Sequence, residues 1–139
     1  MGFLHAAIDG SDSAFTRVEY RDFNDTTHLE AALRRARRES LRESRTHLRG
    51  YCWVTGVPSG LAARLGGARR LAAGGAFHSV RELRGGGVLL QATETLAGYD
   101  DRAMREVFHA LAPVLPPGIP EDDPAREELR VVFEDAGGV

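Results

Sequence analysis

The side chains able to do chemistry in this chain are few, and their spacing fits no catalytic device. Cys52 is the single cysteine, and it lies inside the apolar run Tyr51-Cys52-Trp53-Val54-Thr55-Gly56-Val57. A free thiol in such a run behaves as a small core residue far more often than as a nucleophile. His5, His28, His47, His78 and His109 are scattered, with no H-x-x-x-H or H-E-x-x-H pair to seat a metal. Asp9 and Asp12 lack the D-x-D-x-D-G spacing and distal Glu of a calcium loop. The acidic pairs elsewhere have simpler roles. Asp100-Asp101 reads as a helix cap and Glu121-Asp122-Asp123 as a solvated turn. Neither a G-x-S-x-G elbow nor a phosphate-binding glycine pattern occurs. The residues thus lean away from an enzyme, with no catalytic, cofactor-binding or metal-ligating set expected.

What does exceed the needs of folding is the arginine. All 18 basic residues are arginine, and they are unevenly placed: residues 1–33 carry −4, residues 34–84 carry +9 and residues 85–139 carry −7. A basic block between acidic ends either neutralises them on folding or presents a face to an anionic partner. Arg34, Arg38, Arg42 and Arg45 fall within about 80° of one another on a 3.6-residue helix, forming one ridge. Guanidinium forks suit carboxylates and phosphates bidentately, so these four are the candidate partner-binding residues. A solvated helix face is the alternative use of the same ridge.

The elements that must position this ridge are legible in outline. With 139 residues and 42% hydrophobic content, the chain is the size of one domain, 1–139, able to bury a core without disulfides or metal. The N-terminus lacks the basic n-region of a signal peptide, and no apolar stretch reaches the roughly 20 residues that span a bilayer, so a cytoplasmic protein with no membrane partner is expected. Gly2 to Ile8 and Phe15 to Asp22 read as a first hairpin. Thr27 and Glu30 stand at capping-box spacing, predicting a helix that carries the arginine ridge and ends at Gly50. Within it, Glu39 can pair with Arg35 and Arg42.

The Tyr51 run predicts a buried strand. Ser59 is expected to cap a helix with Leu61, Ala62 and Leu65 inside, interrupted at Gly66-Gly67. Phe77 to Leu83 and Val88 to Thr93, joined through Arg84-Gly85-Gly86-Gly87, predict a hairpin. In its second arm Val88, Leu90 and Ala92 face the core, while Leu89, Gln91 and Thr93 face a partly wet side. A helix with Met104, Val107, Phe108 and Leu111 inside should finish near Ala112, because Pro113 cannot continue it. Leu129 to Glu134 alternates as a last strand would. Trp53, Leu90 and Phe108 should be buried in one cluster. The fold class expected is α+β: a mostly antiparallel sheet with helices on one face, in the order ββαβαββαβ and ferredoxin-like in part.

These residues also carry a resemblance. Trp53-x-Thr55, Leu61, Leu65-Gly66-Gly67, Leu71, Val80, Gly86-Gly87-Val88-Leu89-Leu90-Gln91-Ala92, Tyr99 and Leu111-Ala112-Pro113-Val114-Leu115, within about residues 50–116, resemble the C-terminal half of the bacterial type VI secretion immunity protein family. The resemblance implies a protein that binds and neutralises a cognate toxin, or another protein partner, without cofactor or turnover; a homodimer is compatible with it. Two other classes remain open. One is a small α+β barrel enzyme of the cyclase or cofactor-free oxygenase type, with its pocket between sheet and helices. The other is a nucleic-acid-binding accessory using the Arg-rich helix.

Overall fold

A computed structural model describes residues 16–18, 27–122, 124 and 130–138. In it Val54 to Val57 forms a fully buried strand, β2, as its β-branched composition predicts. It lies between β1 (Thr16–Val18) and β4 (Val88–Gln91), and β3 (Ser79–Glu82) lies beyond β4, giving the sheet order β1-β2-β4-β3. Every pairing is antiparallel, with Thr55 opposite Leu90, Val57 opposite Val88 and Val80 opposite Leu90. The chain therefore crosses from β2 to β3 and returns through a hairpin into the gap between them. The remainder of the expected first hairpin lies outside the described residues.

Side-chain alternation puts Val57, Val88, Leu90 and Ala92 into one core with Leu29, Leu61, Leu71 and the inner stripe of the long helix. This is an α+β domain whose helices share one face of an antiparallel sheet. The other face is not wet as expected: Val54, Leu83 and Leu89 form a second buried cluster there, and Gln91 is buried too. Trp53 is only partly buried and packs against both clusters, with its indole Nε1 donating to the Thr93 carbonyl at 2.9 Å. Leu90 and Phe108 are each 1% exposed, as the core reading requires.

The largest departure from expectation is in the arginine segment. The predicted single helix is two short ones, α1 (His28–Ala32) and α2 (Arg37–Arg42). The capping box forms as read, with Thr27 Oγ1 accepting from Glu30 N at 3.0 Å and Glu30 Oε1 from Thr27 N at 2.9 Å. After one turn the chain stops in a Schellman arrangement: Arg35 N donates to the Glu30 carbonyl and Arg34 N to that of Ala31. The left-handed residue this requires is Arg34, at φ 55°, a position usually held by glycine.

Tertiary contacts account for the break. Glu30 is 1% exposed, and Arg49 reaches it with Nη2–Oε1 at 3.0 Å. Arg35 Nη2 meets Glu43 Oε2 at 2.6 Å; eight residues along a straight helix would separate them by about 12 Å of axial rise. The Glu39 pairs expected for a continuous helix give way to this one. Gly50 does not cap a helix. It lets Thr27 approach, since a Cβ at Gly50 would lie 3.0 Å from Thr27 Oγ1, and that hydroxyl donates to the Arg49 carbonyl at 2.8 Å.

Beyond β2, α3 (Ser59–Arg64) and α4 (Gly67–Ala73) follow. Pro58 is the N-cap of α3, with Ser59 as its first helical residue, so the expected Ser59 cap is displaced by one position. Gly66 separates the two helices at φ 93°. After β4, α5 (Asp101–Leu111) is capped by Asp100, whose carboxylate accepts from Ala103 N, and Met104, Val107, Phe108 and Leu111 are buried as predicted. Pro113 falls in a following 3-10 turn, Ala112–Val114.

The expected last strand is irregular over residues 130–133. Val131 and Val132 are both buried, which alternation forbids, because Val132 N donates to the Tyr51 hydroxyl at 2.7 Å and draws the backbone inward. Burial in turn pushes the Tyr51 phenol well above its ordinary range. Among the described residues no helix is long and apolar enough to cross a membrane.

Burial alone would raise the Glu30 carboxyl, but the Thr27 N–H, the Ser40 hydroxyl and the Arg49 guanidinium outweigh it and hold the group below its ordinary 4.5. Its stabilising contribution is therefore complete above about pH 4.5 and is lost as pH falls through the lower folded-state value. Arg49→Ala leaves a buried carboxylate uncompensated and should cost about 3–5 kcal/mol at pH 7 by urea unfolding. That cost should shrink as pH falls toward the lowered folded-state value at which Glu30 takes up a proton. A cost independent of pH would show that Arg49 acts only through packing.

Candidate interaction surface

The two ends of the segment between α1 and β2 are pinned together at Glu30 and Arg49. Leu48 N also donates to the Val114 carbonyl at 2.7 Å, fixing the return of the segment to the 3-10 turn after α5. Between these anchors α2 contributes nothing to the main core. Its inward residue is Ser40, buried beside Arg35 Nε at 3.4 Å. Arg38, Leu41, Arg42 and, just past the helix, Arg45 are exposed, with Leu41 at 44%.

Arg34, Arg38, Arg42 and Arg45 therefore do not form one ridge. Arg34 stands on the far side of the break and makes an exposed ion pair with Glu121 at 2.8 Å. Arg38 and Arg42 remain one turn apart on α2, and Arg45 follows in the turn. Among the described residues these three have no ion-pair partner, whereas Arg35 is consumed by Glu43 and Arg49 by Glu30. The ridge spacing was legible in the sequence. Leu41 was not singled out, although its position, i+3 from Arg38, places it on the same side.

The turn after α2 leads to a second feature. Arg64, at the end of α3, donates from Nη1 to the Thr46 carbonyl at 2.5 Å and from Nη2 to that of Pro113 at 2.9 Å. It thus joins the Arg42–Arg45 side to a cleft of about 580 Å³ lined by Arg64, Arg70, Gly75, Glu106, His109 and Pro113 among others. His47, on the same turn, is pressed below its ordinary value by burial; Glu43 partly offsets this, while Arg35 and Arg64 add to it. His109 packs its ring 5.5 Å from that of Phe108, and Glu106 turns to Arg102 on its own helix at 3.4 Å. Sequence reading left Arg64, Arg70 and His109 apart, since only the crossover of α3 and α4 over the sheet brings them to the end of α5.

The other singled-out residues lie elsewhere. His28 and His78 are remote in contact from this cleft: His28 Nδ1 accepts from Arg130 N, and His78 N donates to the Ala92 carbonyl next to β3. His5, Asp9 and Asp12 fall outside the described residues. Among the described residues no group of three or more His, Cys, Asp and Glu side chains is placed to hold a metal. Comparison of the chain with family models, with curated proteins and with solved structures finds no match.

Cys52 is 6% exposed, and its Sγ–H donates to the Val54 carbonyl at 3.0 Å while its backbone N–H donates to Thr55 Oγ1. A thiol held as a donor inside the fold is a poor thiolate. A disulfide reagent should label native protein slowly and label it at once in denaturant. Native labelling at the rate of a free thiol would show Cys52 to be open and reactive.

Proposed function

We propose that this protein binds a protein partner through α2 and its following turn and acts by occupancy, without turnover or cofactor, as a toxin-neutralising immunity protein does. The observation that carries the reading is an exposed leucine set among arginines that have no ion-pair partner among the described residues, on a helix with no described side chain in the main core. Interfaces enrich arginine and surround it with contacts that exclude water, and an apolar neighbour serves that exclusion while being surplus to a phosphate-binding ridge. Exposed Leu41 beside Arg38, Arg42 and Arg45 has that composition. The resemblance of residues 50–116 to the immunity family supplies the partner's class, a cognate toxin. The arginines supply its charge, an acidic face. Within that reading we take the segment from β2 to α5, with β4 inserted between β2 and β3, as the βαββα portion of a ferredoxin-like fold, its remaining edge held by β1. The fold itself says nothing of partner.

The test is co-expression with the product of the adjacent gene, followed by association kinetics. The variant Arg38→Glu/Arg42→Glu should slow association and flatten its salt dependence with folding intact, since exposed charges contribute little to stability. Leu41→Ala should raise the dissociation rate, because truncating a buried anchor acts mainly there. Unchanged rates in both variants would reduce α2 to a solvated helix. Tighter binding to an RNA or DNA duplex than to any protein, lost in the double variant, would transfer the surface to nucleic acid.

A further inference from the structure

The cleft beside Arg64 is a built feature that the α2 surface does not explain. Arg64 is fixed by the Thr46 and Pro113 carbonyls, which use two of its five N–H donors and leave three for a ligand. Arg70 is fixed differently. A Cβ on Gly66 would lie 2.3 Å from Arg70 Cδ, so the arginine stem lies over the glycine and the chain reverses there at φ 93°. Glycine at position 66 thus both separates α3 from α4 and makes room for the Arg70 stem. Among the described residues Arg70 has no ion-pair partner, and it lines the cleft.

The opposite wall carries His109 and Glu106, but Glu106 turns to Arg102. The guanidinium groups of Arg64 and Arg70 therefore give the cleft a positive excess. A carboxylate of the protein partner proposed above fits that excess, because a guanidinium fork holds it bidentately. The volume, about 580 Å³, also exceeds that of a lone ion and matches a few side chains of a peptide segment.

We propose that this cleft receives an acidic side chain of the protein partner, its carboxylate held by the guanidinium groups of Arg70 and Arg64, while α2 meets the surface beside it. This rests on the protein-binding reading above, with which it shares the junction from Thr46 to Arg64. Arg64 is a positioning residue as well as a donor, because it ties the turn after α2 to the cleft wall.

The experiment uses the full chain and a blocked tetraglutamate peptide at low ionic strength, followed by amide shifts of Gly74, Gly75 and His109. The expected result is saturable shifts, weakened about tenfold in Arg70→Ala, with an intermediate loss in Arg70→Lys, which keeps the charge and the stem but not the fork. Arg38→Glu/Arg42→Glu should leave these shifts unchanged, so that failure of the cleft and failure of the α2 surface read separately. Arg70 is exposed, and an unchanged unfolding midpoint confirms that its variants fold. No shift with the peptide, equal affinity in Arg70→Ala, or stronger saturation by inorganic phosphate would each overturn the proposal, the last by making the cleft a small-anion site.

Discussion

The buried carboxylate of Glu30 is the constraint on which the rest of this structure hangs. Removing a carboxylate and a guanidinium from water costs several kcal/mol per ion, and their attraction repays this only when the remaining lone pairs are also satisfied. Here they are: Thr27 N–H, Ser40 and Arg49 share the two oxygens. The consequence is topological as much as energetic. Glu30 and Arg49 are 19 residues apart, so their contact closes everything between them into an excursion with a fixed base. Thr27 adds its hydroxyl to the Arg49 carbonyl, and Gly50 supplies the clearance. From that base the chain runs directly into Tyr51, whose hydroxyl holds Val132, and then into β2. Sheet, C-terminal segment and arginine excursion meet within a few residues of one ion pair.

That constraint also decides which arginines are available. An excess of nine positive charges over residues 34–84 says only that something must balance or use them. The fold spends Arg49 on Glu30 and Arg35 on Glu43, and sets Arg64 against two backbone carbonyls. Among the described residues, the ion pairs of the acidic C-terminal third fall mostly within that third. Glu121 reaches Arg34 at an exposed site, while Arg102, Arg105 and Arg130 engage Glu106, Glu134 and Asp101 within their own third of the chain. Among the described residues Arg38, Arg42, Arg45, Arg69, Arg70 and Arg81 are left exposed without an ion-pair partner, and the bond from Arg64 to Thr46 ties the turn that carries Arg45 to the cleft that Arg70 lines.

What could be read from the sequence was whatever local chemistry dictates. The Thr27 capping box, the Asp100 cap, the α5 stripe and the glycine hairpin each depend on residues within one or two turns, and each forms. The break at Arg34 could not be read, because its usual marker, a glycine in the left-handed position, is replaced by arginine, and its cause lies in Arg35 meeting Glu43. The alternation from Leu129 to Glu134 misled for the same reason: a hydroxyl from residue 51 overrides the period and buries Val131 and Val132 together. Leu89 was assigned to a partly wet face, since period 2 separates the faces of a strand without saying whether both are covered. The site was legible only as a spacing. Which of the four arginines stay together, and that Arg70 joins them, followed from contacts between residues far apart in the chain.

Helix α2 shows how these levels join. Six residues without a side-chain N-cap do not hold a helix in water, where nucleation alone opposes so short a segment. Its order must come from its ends, where Arg35 grips Glu43 and Ser40 turns inward, and from the closed base at Glu30 and Arg49. A surface held this way presents Arg38, Leu41 and Arg42 in a fixed array although the core gains nothing from them, which lowers the ordering cost a partner would otherwise meet. The base is also part of the core: Leu29 and Ala32 of α1, with Leu48 and Tyr51, pack in the same apolar cluster as Val57, Val88, Leu90 and the inner stripe of α5, so the fold that buries Glu30 also sets the array.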